Sequence, residues 1–580
     1  MLTRILRTNF WNEYRLMSSS FQAMQNKVEV SVLQGRVVGL QDTLPNGKPL
    51  FSFKGIPYAQ SPIGELRFTA PKALEKFKEP VLDCSRERDP CYHKDMISLE
   101  TVGSEDCLFL NVYTPKLSDA KDLPVMIWIH GGAFASGSGD SDYFSPEYLV
   151  EQNVIVVTIN YRLSILGFLC LPDAGIYGNA GLKDQRLAMQ WVQQNIGKFG
   201  GNANNITLFG ESAGAACVHI HTLSANSRKY FHKAICQSGN AIMEWVMQSK
   251  AEEKSKILAS RLGCTETDPQ KILQFLRGID HLPTLFKEYF GTLSDDERRR
   301  GLPIVFKPTV ERETDEAIIT KPPLELMQTQ IDAACIPVMM GYNSKDGLIM
   351  LIDALKNNKF EQYEKDLAVF IPKSVNLPVQ DERCKILANK IRDFYLSGEK
   401  LCESTLDGFV DLLTDYHFTI LSYLAAELHS RYQNSPMYFF RFSIDKDFNL
   451  YKKFTLMALG MPKTDIFKGA CHADEIYYLF SCRKFSKKPS DFPESEVLLR
   501  RTCALWTNFA KYGDPTPSTS NFPLWNPVKK IAANEKDFKL DYFEIDNDRL
   551  VSCVNPDGKR IEFWREIYYK FNNGLMKAKL

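Results

Sequence analysis

Short, continuous apolar segments, each followed by a turn that contains glycine or polar residues, recur along the 580-residue chain. Residues 125–129, 154–159, 206–209 and 336–340 are segments of this kind. Continuous apolar runs of this length are typical of strands that are buried on both faces of a sheet. Helical periodicity lies between them, as in residues 182–196. Because the strands alternate with helices, the sequence predicts an α/β fold with a large, mostly parallel central sheet and helices on both faces.

No internal repeat, low-complexity tract or Gly/Ser linker divides the sequence, so we expect residues 28–580 to form a single domain. Residues 1–27 differ from the rest because four basic residues and one acidic residue are interleaved with apolar side chains. This pattern predicts an amphipathic segment that makes peripheral contact with a membrane or targets an organelle. A disordered N-terminal tail is an equally good interpretation.

Charge and cysteine content exclude several classes of protein. The formal net charge is only +1, which does not favour a nucleic-acid partner. No apolar run is long enough to span a bilayer as a helix, and we find no secretory signal pattern. We therefore expect an intracellular, cytoplasmic protein that is not secreted. The 14 cysteines include no CxxC pair, so we expect mostly reduced, buried thiols and neither a metal nor another cofactor.

The segment Gly210-Glu211-Ser212-Ala213-Gly214 fits the pattern G-x-S-x-G. A predicted strand leads into it, and small residues that can open a helix follow it. This context is that of a nucleophile elbow, in which a strained turn exposes the serine hydroxyl and the glycines avoid side-chain clashes. The start of the following helix offers backbone N–H groups to a developing oxyanion. Ser212 is therefore the candidate nucleophile.

A second glycine-containing loop, His130-Gly131-Gly132-Ala133-Phe134, follows an earlier predicted strand. A backbone with few side chains can point its N–H groups into a site. Together with the N–H of Ala213, those of Gly132 and Ala133 would form an oxyanion hole with three donors. A Gly-Gly turn alone is commonly only a loop, but its position upstream of the elbow makes this interpretation specific.

The general base and its acid are expected after the serine, in the order serine, acid, histidine. His472 lies in a polar loop next to a glycine, which suits a catalytic base. Asp346 directly follows an apolar strand and could hold the reactive tautomer of the histidine. On spacing alone, other loop aspartates remain candidates for the acid. Four further histidines remain candidates for the base: His232, His281, His417 and His429.

Taken together, these residues resemble the type-B carboxylesterases, the cholinesterase-like branch of the α/β hydrolases, and most closely the insect alpha-esterases. Besides the elbow and the oxyanion loop, the resemblance rests on the segments 53–59, 103–108, 178–185, 199–201 and 237–239. It implies an α/β-hydrolase fold.

The same resemblance assigns roles to individual residues. It implies that Ser212, His472 and Asp346 form a catalytic triad and that Gly132, Ala133 and Ala213 form the oxyanion hole. It further implies that Glu211 lies near the histidine, although the residue could equally only organise buried hydrogen bonds. Trp245 resembles a wall of the acyl pocket, although an ordinary core aromatic residue is nearly as good an interpretation. Finally, the resemblance suggests a disulfide between Cys84 and Cys107.

Four departures from the family pattern matter. Most relatives have glutamate where Asp346 stands, so its carboxylate is carried on an arm about 1.5 Å shorter. Ala133 replaces the third glycine of the oxyanion loop but keeps its N–H. No tryptophan occurs between residues 84 and 107, so the cation–π platform of choline-ester hydrolases is missing. Cys264 lacks the expected disulfide partner, and we expect its thiol to be free.

These features predict a serine carboxylesterase that hydrolyses small-molecule carboxylic esters, of xenobiotic or lipid type, through an acyl-enzyme. They also predict that organophosphates inactivate the enzyme. Two alternatives remain at this point. One is a non-catalytic, partner-binding protein of the same fold, and the other is a neutral-lipid lipase. The sequence does not indicate an oligomeric state.

Overall fold

The computed structural model describes residues 26–301, 304–329, 336–356, 359–461, 466–485, 488–532, 535 and 537–571. Residues 1–25, and with them most of the segment for which amphipathic character is predicted, lie outside the described residues. Asn26 and Lys27 pair with Gln41 and Leu40 in the first strand, so two residues on the N-terminal side of the predicted domain boundary belong to the sheet.

The strands of the described residues are β1 (Asn26–Val32), β2 (Gly35–Thr43), β3 (Pro49–Pro57), β4 (Val81–Asp83), β5 (His93–Lys94), β6 (Thr101–Val102), β7 (Phe109–Thr114), β8 (Leu123–Ile129), β9 (Ile155–Ile159), β10 (Gly201–Glu211), β11 (Lys233–Gln237), β12 (Val338–Asn343), β13 (Met437–Phe442), β14 (Asp541–Ile545) and β15 (Leu550–Val554).

The α-helices of the same residues are α1 (Glu147–Val150), α2 (Ser164–Phe168), α3 (Ala180–Asn195), α4 (Ala213–Leu223), α5 (Ala225–Arg228), α6 (Ala251–Arg261), α7 (Pro269–Arg277), α8 (Leu282–Phe286), α9 (Asp295–Arg300), α10 (Pro323–Thr329), α11 (Leu351–Lys356), α12 (Lys359–Lys365), α13 (Glu382–Leu396), α14 (Leu406–Thr414), α15 (Ile420–Tyr432), α16 (Leu450–Ala458), α17 (Pro493–Tyr512) and α18 (Gly558–Phe571). A π-helical turn, Asp415–Thr419, joins α14 to α15. Within the described part of the chain, no helix is both long and apolar enough to cross a membrane.

One large sheet has the strand order β1-β2-β3-β7-β9-β8-β10-β11-β12-β13-β14-β15, and β4 pairs with β2 outside this path. Pairing is parallel from β9 through β8 and β10 to β14. It is antiparallel from β1 to β9 on one side and between β14 and β15 on the other. The prediction of a large, mostly parallel α/β sheet is therefore confirmed.

Buried side chains cover both faces of this sheet. Along β8, Val125, Ile127 and Ile129 pack into one apolar core, and the alternating Met126 and Trp128 pack into the other. Side chains of α3 and α4 contribute to the first core, and side chains of α17 contribute to the second. A strand buried on both faces needs apolar residues at every position, which explains the continuous apolar runs of the sequence.

The disulfide suggested between Cys84 and Cys107 is wrong. The bond joins Cys91 to Cys107, whose Cα atoms are 4.7 Å apart. Two backbone hydrogen bonds, Tyr92 N to Ser104 O and Ser104 N to Pro90 O, bring the ends of this loop together. Cys84 instead extends the β4 edge, where its backbone pairs with Val38 and Lys54, and its thiol is buried and free. Cys264 is free, as expected.

Candidate active site

The strand–turn–helix context expected for G-x-S-x-G is present. Ser212 lies between the end of β10 and the start of α4, with φ 55° and ψ −123°. Its backbone N–H donates to the carbonyl of Gln237 at 2.8 Å, which ties the turn to the neighbouring strand β11. A Cβ atom at Gly214 would lie 2.1 Å from the carbonyl oxygen of Ile129, so only glycine allows this approach. Glu211 and Ala213 are buried, whereas Ser212 is partly exposed.

Several residues around this turn have left-handed backbone conformations. Ser212, Ser238, Ala133, Phe134 and Ala473 all have φ between 51° and 67°. Side chains other than glycine rarely adopt this conformation, and residues that do so cluster at functional sites. Three of the segments involved are the elbow, the oxyanion loop and the loop that carries His472, so each of these parts of the predicted site contains such a residue.

The oxyanion loop is held by hydrogen bonds within its own backbone, and it packs against the elbow. Gly132 O accepts hydrogen bonds from Ala135 N at 3.0 Å and Ser136 N at 2.9 Å. A Cβ atom at Gly131 would lie 2.6 Å from Glu211 Oε2 and 3.1 Å from Ser212 Cβ.

The three N–H groups predicted to form the oxyanion hole have no hydrogen-bond acceptor in the described part of the chain. They are those of Gly132, Ala133 and Ala213. Gly132 and Ala133 are also partly exposed, so their backbone is accessible to a bound molecule. This arrangement is suited to stabilising negative charge on a substrate oxygen.

Asp346 and His472 are in direct contact. Nδ1 of His472 lies 2.9 Å from Oδ1 of Asp346, and the second carboxylate oxygen of Asp346 accepts from Asn343 N at 2.9 Å. The shorter arm of aspartate therefore reaches the ring. Two of the other histidine candidates form hydrogen bonds elsewhere, His281 with Thr284 and His232 with the backbone of Ile206.

Glu211 contacts the opposite side of the imidazole. Its Oε1 atom lies 3.0 Å from Nε2 of His472. Burial raises the pKa of Glu211, and the nearby carboxylates of Glu475 and Asp346 raise it further. Burial alone would lower the pKa of His472, but the carboxylates of Glu211, Asp346 and Glu475 outweigh it, so the pKa is raised. The ring thus lies between two carboxylates.

Aromatic side chains form a wall beside the histidine. Phe418 packs on the ring of His472 with centroids 4.6 Å apart, and Trp245 lies 6.3 Å from Phe418 and 6.3 Å from Phe134. The indole N–H of Trp245 donates to His417 O at 3.0 Å. Trp245 is buried among these rings, and its assignment to the acyl pocket stays a prediction. Sequence reasoning missed Phe418 because the π-helical turn that places it there has no recognised sequence signal.

Among the described residues, no group of three or more His, Cys, Asp or Glu side chains could hold a metal ion.

Comparison with known proteins identifies the family of this chain. Residues 25–564 match the model of the Carboxylesterase family. The chain is 31% identical to esterase B1 of Culex pipiens over 552 residues, which cover 93% of this chain and 98% of that protein. It is 32% identical to juvenile hormone esterase of Tribolium castaneum over 569 residues, which cover 91% of this chain and 92% of that protein.

A solved structure shares the fold. The crystal structure of juvenile hormone esterase from Manduca sexta, with OTFP covalently attached, superposes with a TM-score of 0.81 at 28% identity. The match covers 94% of this chain and all of that chain. The chain therefore belongs to the carboxylesterase family of α/β hydrolases and is an enzyme that hydrolyses ester bonds.

Proposed function

We propose that this enzyme is a serine carboxylesterase that hydrolyses carboxylic esters of xenobiotic or lipid type through an acyl-enzyme. The observation that carries the proposal is the contact between Asp346 and His472 at 2.9 Å, at the sheet edge where the strained Ser212 turn lies. Nε2 of the same imidazole lies 3.0 Å from Glu211, the residue directly before Ser212. In the proposed mechanism this imidazole accepts the proton of Ser212.

In the first half-reaction, Oγ of Ser212 attacks the carbonyl carbon of the ester and transfers its proton to Nε2 of His472. The N–H groups of Gly132, Ala133 and Ala213 stabilise the negative charge on the former carbonyl oxygen. The bond to the alcohol oxygen then breaks, and the alcohol leaves with the proton from His472. Ser212 is now acylated.

In the second half-reaction, a water molecule gives one proton to His472 and attacks the acyl carbon. The bond to Oγ of Ser212 breaks, the serine recovers its proton from His472, and the carboxylic acid leaves. Asp346 remains ionised throughout and stabilises the imidazolium. In the crystal structure of juvenile hormone esterase from Manduca sexta, OTFP is covalently attached, which supports a covalent mechanism for this chain.

Two measurements test the serine mechanism. With p-nitrophenyl butyrate we expect a burst of p-nitrophenol that matches the enzyme concentration, because an acyl-enzyme accumulates. An organophosphate resembles the tetrahedral intermediate, so we expect it to leave a phosphoryl group on the peptide that contains Ser212. Ser212→Ala should lose both the burst and the adduct. An adduct on another residue of the active protein would contradict the assignment.

The same assays separate the alternatives. A non-catalytic, partner-binding protein would show neither burst nor adduct, although it could keep the fold. A neutral-lipid lipase would prefer long acyl chains over butyrate and would be activated at a lipid–water interface. A series of p-nitrophenyl esters from acetate to palmitate, with and without an emulsified interface, distinguishes a carboxylesterase from a lipase.

We also propose an intracellular location, with peripheral membrane or organelle contact through residues 1–27. The buried free thiols of the described residues fit a reducing compartment, whereas the Cys91–Cys107 bond would persist more readily in an oxidising one. A fluorescent protein fused to the C-terminus of the full chain, compared with the same fusion of residues 28–580, tests the location. Recovery of the full-length fusion in the culture medium would reject it.

A further inference from the structure

A set of fully buried polar groups connects the loops that carry Ser212, Asp346 and His472. Its members are Asn343 at the end of β12, Glu475 on the turn after His472, and Gln237 at the end of β11. Each has no exposed surface. We call these three residues the buried network.

Asn343 makes the contacts nearest to the proposed triad. Its backbone N–H donates to Oδ2 of Asp346 at 2.9 Å, on the carboxylate that contacts His472. Its side-chain amide donates to the carbonyl of Cys471, the residue before His472, at 2.8 Å. The same amide nitrogen donates to Oε2 of Glu475 at 2.5 Å. One residue therefore holds both the carboxylate and the segment that carries the base.

Glu475 and Gln237 extend the buried network to the nucleophile. Oε1 of Glu475 accepts from the side-chain amide of Gln237 at 3.0 Å. The main-chain carbonyl of Gln237 accepts the backbone N–H of Ser212 at 2.8 Å. The side-chain oxygen of Gln237 accepts in turn from the indole of Trp506 at 2.9 Å, which fixes the orientation of the amide. A continuous path of hydrogen bonds thus joins Asp346 to Ser212.

We propose that Asn343 is a positioning residue of the catalytic site, which acts through Glu475 and Gln237 to fix the three reacting groups relative to one another. The inference rests on the proposed serine mechanism. The physical reason is that buried donors and acceptors strongly prefer to stay paired, so each connected loop has one favoured position. A displacement of about 1 Å in a catalytic group can reduce the rate about 100-fold.

The first test is Asn343→Ala, assayed with p-nitrophenyl butyrate and normalised to the concentration of active sites titrated with a fluorophosphonate. We expect kcat to fall roughly 10- to 100-fold while KM changes less than about threefold, because the variant misplaces the reacting groups without removing them. Asn195→Ala is the matched control. Asn195 is equally buried and bonds Leu33 N and Trp191 O at the end of α3, outside the buried network. The control should lose thermal stability but keep its kcat per site.

The pH dependence of kcat/KM provides a second measurement. It should not change if Asn343 contributes only to the stability of the fold. The charged groups that face His472 are Asp346, Glu211 and Glu475, and the ring of Phe418 packs on it. Asn343→Ala removes an amide donor that stabilises the carboxylate form of Glu475. We expect it to move the acid limb of kcat/KM to lower pH, because a less ionised Glu475 stabilises the imidazolium less.

Gln237→Met tests the buried network at the end nearest to Ser212. It is also the alternative variant if Asn343→Ala does not fold. It removes the amide that binds Glu475 but keeps the main-chain carbonyl that binds Ser212. The double variant with Asn343→Ala should lose less activity than the product of the two single losses, because both act through Glu475. Unchanged kcat and pH profile in both single variants, or strictly multiplicative losses, would overturn the proposal. Failure of the serine mechanism itself would appear separately, as fluorophosphonate labelling and activity that persist in Ser212→Ala.

Discussion

Nε2 of His472 lies 3.0 Å from Oε1 of Glu211, while Nδ1 of the same ring lies 2.9 Å from Oδ1 of Asp346. The imidazole is therefore flanked by carboxylates on both nitrogens. This arrangement favours the protonated ring, and its pKa is raised above the ordinary value of a histidine. A general base must be neutral to accept a proton, so Glu211 affects the pH range in which the enzyme works.

We expect Glu211→Gln to move the acid limb of kcat/KM to lower pH by roughly one unit. The sign follows because the substitution removes a negative charge that stabilises the imidazolium, so the ring loses its proton at lower pH. A pH–rate profile of both proteins with p-nitrophenyl butyrate measures the shift. An acid limb that stays in place would show that Glu211 does not interact with the base in solution.

The short side chain of Asp346 reaches Nδ1 of His472. We expect Asp346→Glu to reduce kcat roughly 10-fold or more. This loss is expected although glutamate is the usual residue of the family at this position. The added methylene has no room, because Asp346 is fully buried and both of its oxygens already have partners. Asp346→Asn should reduce kcat by roughly 10³- to 10⁴-fold, since an amide cannot hold the reactive tautomer. Steady-state kinetics of the two variants measure these effects. Equal activity of wild type and Asp346→Glu would contradict the fit.

The Cys91–Cys107 loop supports the oxyanion loop, because Ser136 Oγ donates to Lys94 O at 3.0 Å. Replacing both cysteines with serine should lower the free energy of unfolding by about 3 kcal/mol and should also reduce kcat. Chemical denaturation and activity per titrated site measure the two effects. Cys402→Ser is the control, because this cysteine is exposed and forms no disulfide. A stability loss with unchanged kcat would mean that the loop does not support the site.

Trp245 packs against Phe134 and against Phe418, the residue that contacts the ring of His472. We expect Trp245→Leu to raise kcat/KM for branched or bulky acyl groups relative to butyrate, because the smaller side chain enlarges the site. One methylene in an apolar pocket is worth about 1–3 kcal/mol, so a change of 10-fold or more in this ratio is expected. A series of acyl groups with a constant p-nitrophenol leaving group measures it. A uniform loss across the series would place Trp245 in the core and not in the pocket.

The sequence identified the elements whose signal is local. The apolar run 125–129 lies within β8, and the helical pattern of residues 182–196 lies within two residues of α3. Asp346 could be proposed because an acid that follows a buried strand must lie at the sheet edge.

Contacts between distant segments could not be derived in this way. The choice of Cys91 over Cys84 depends on backbone pairing between residues 90–92 and 104, which spacing does not reveal. Phe418 reaches His472 only because the helix locally adopts a π turn, and Asn343 appears in the sequence as an ordinary strand residue. Each of these positions is determined by tertiary packing between segments that are far apart in the chain.

The backbone conformation of the turn at Ser212 has a consequence for thermal stability. Its φ of 55° and ψ of −123° are easily adopted by glycine and are unfavourable by about 1–3 kcal/mol for serine. Ser212→Gly should therefore melt at a higher temperature than the active enzyme, although it can no longer form an acyl-enzyme. Selection for a higher melting temperature alone would therefore favour loss of the Ser212 hydroxyl. Screens for thermostable variants of this esterase must also select for activity in every round.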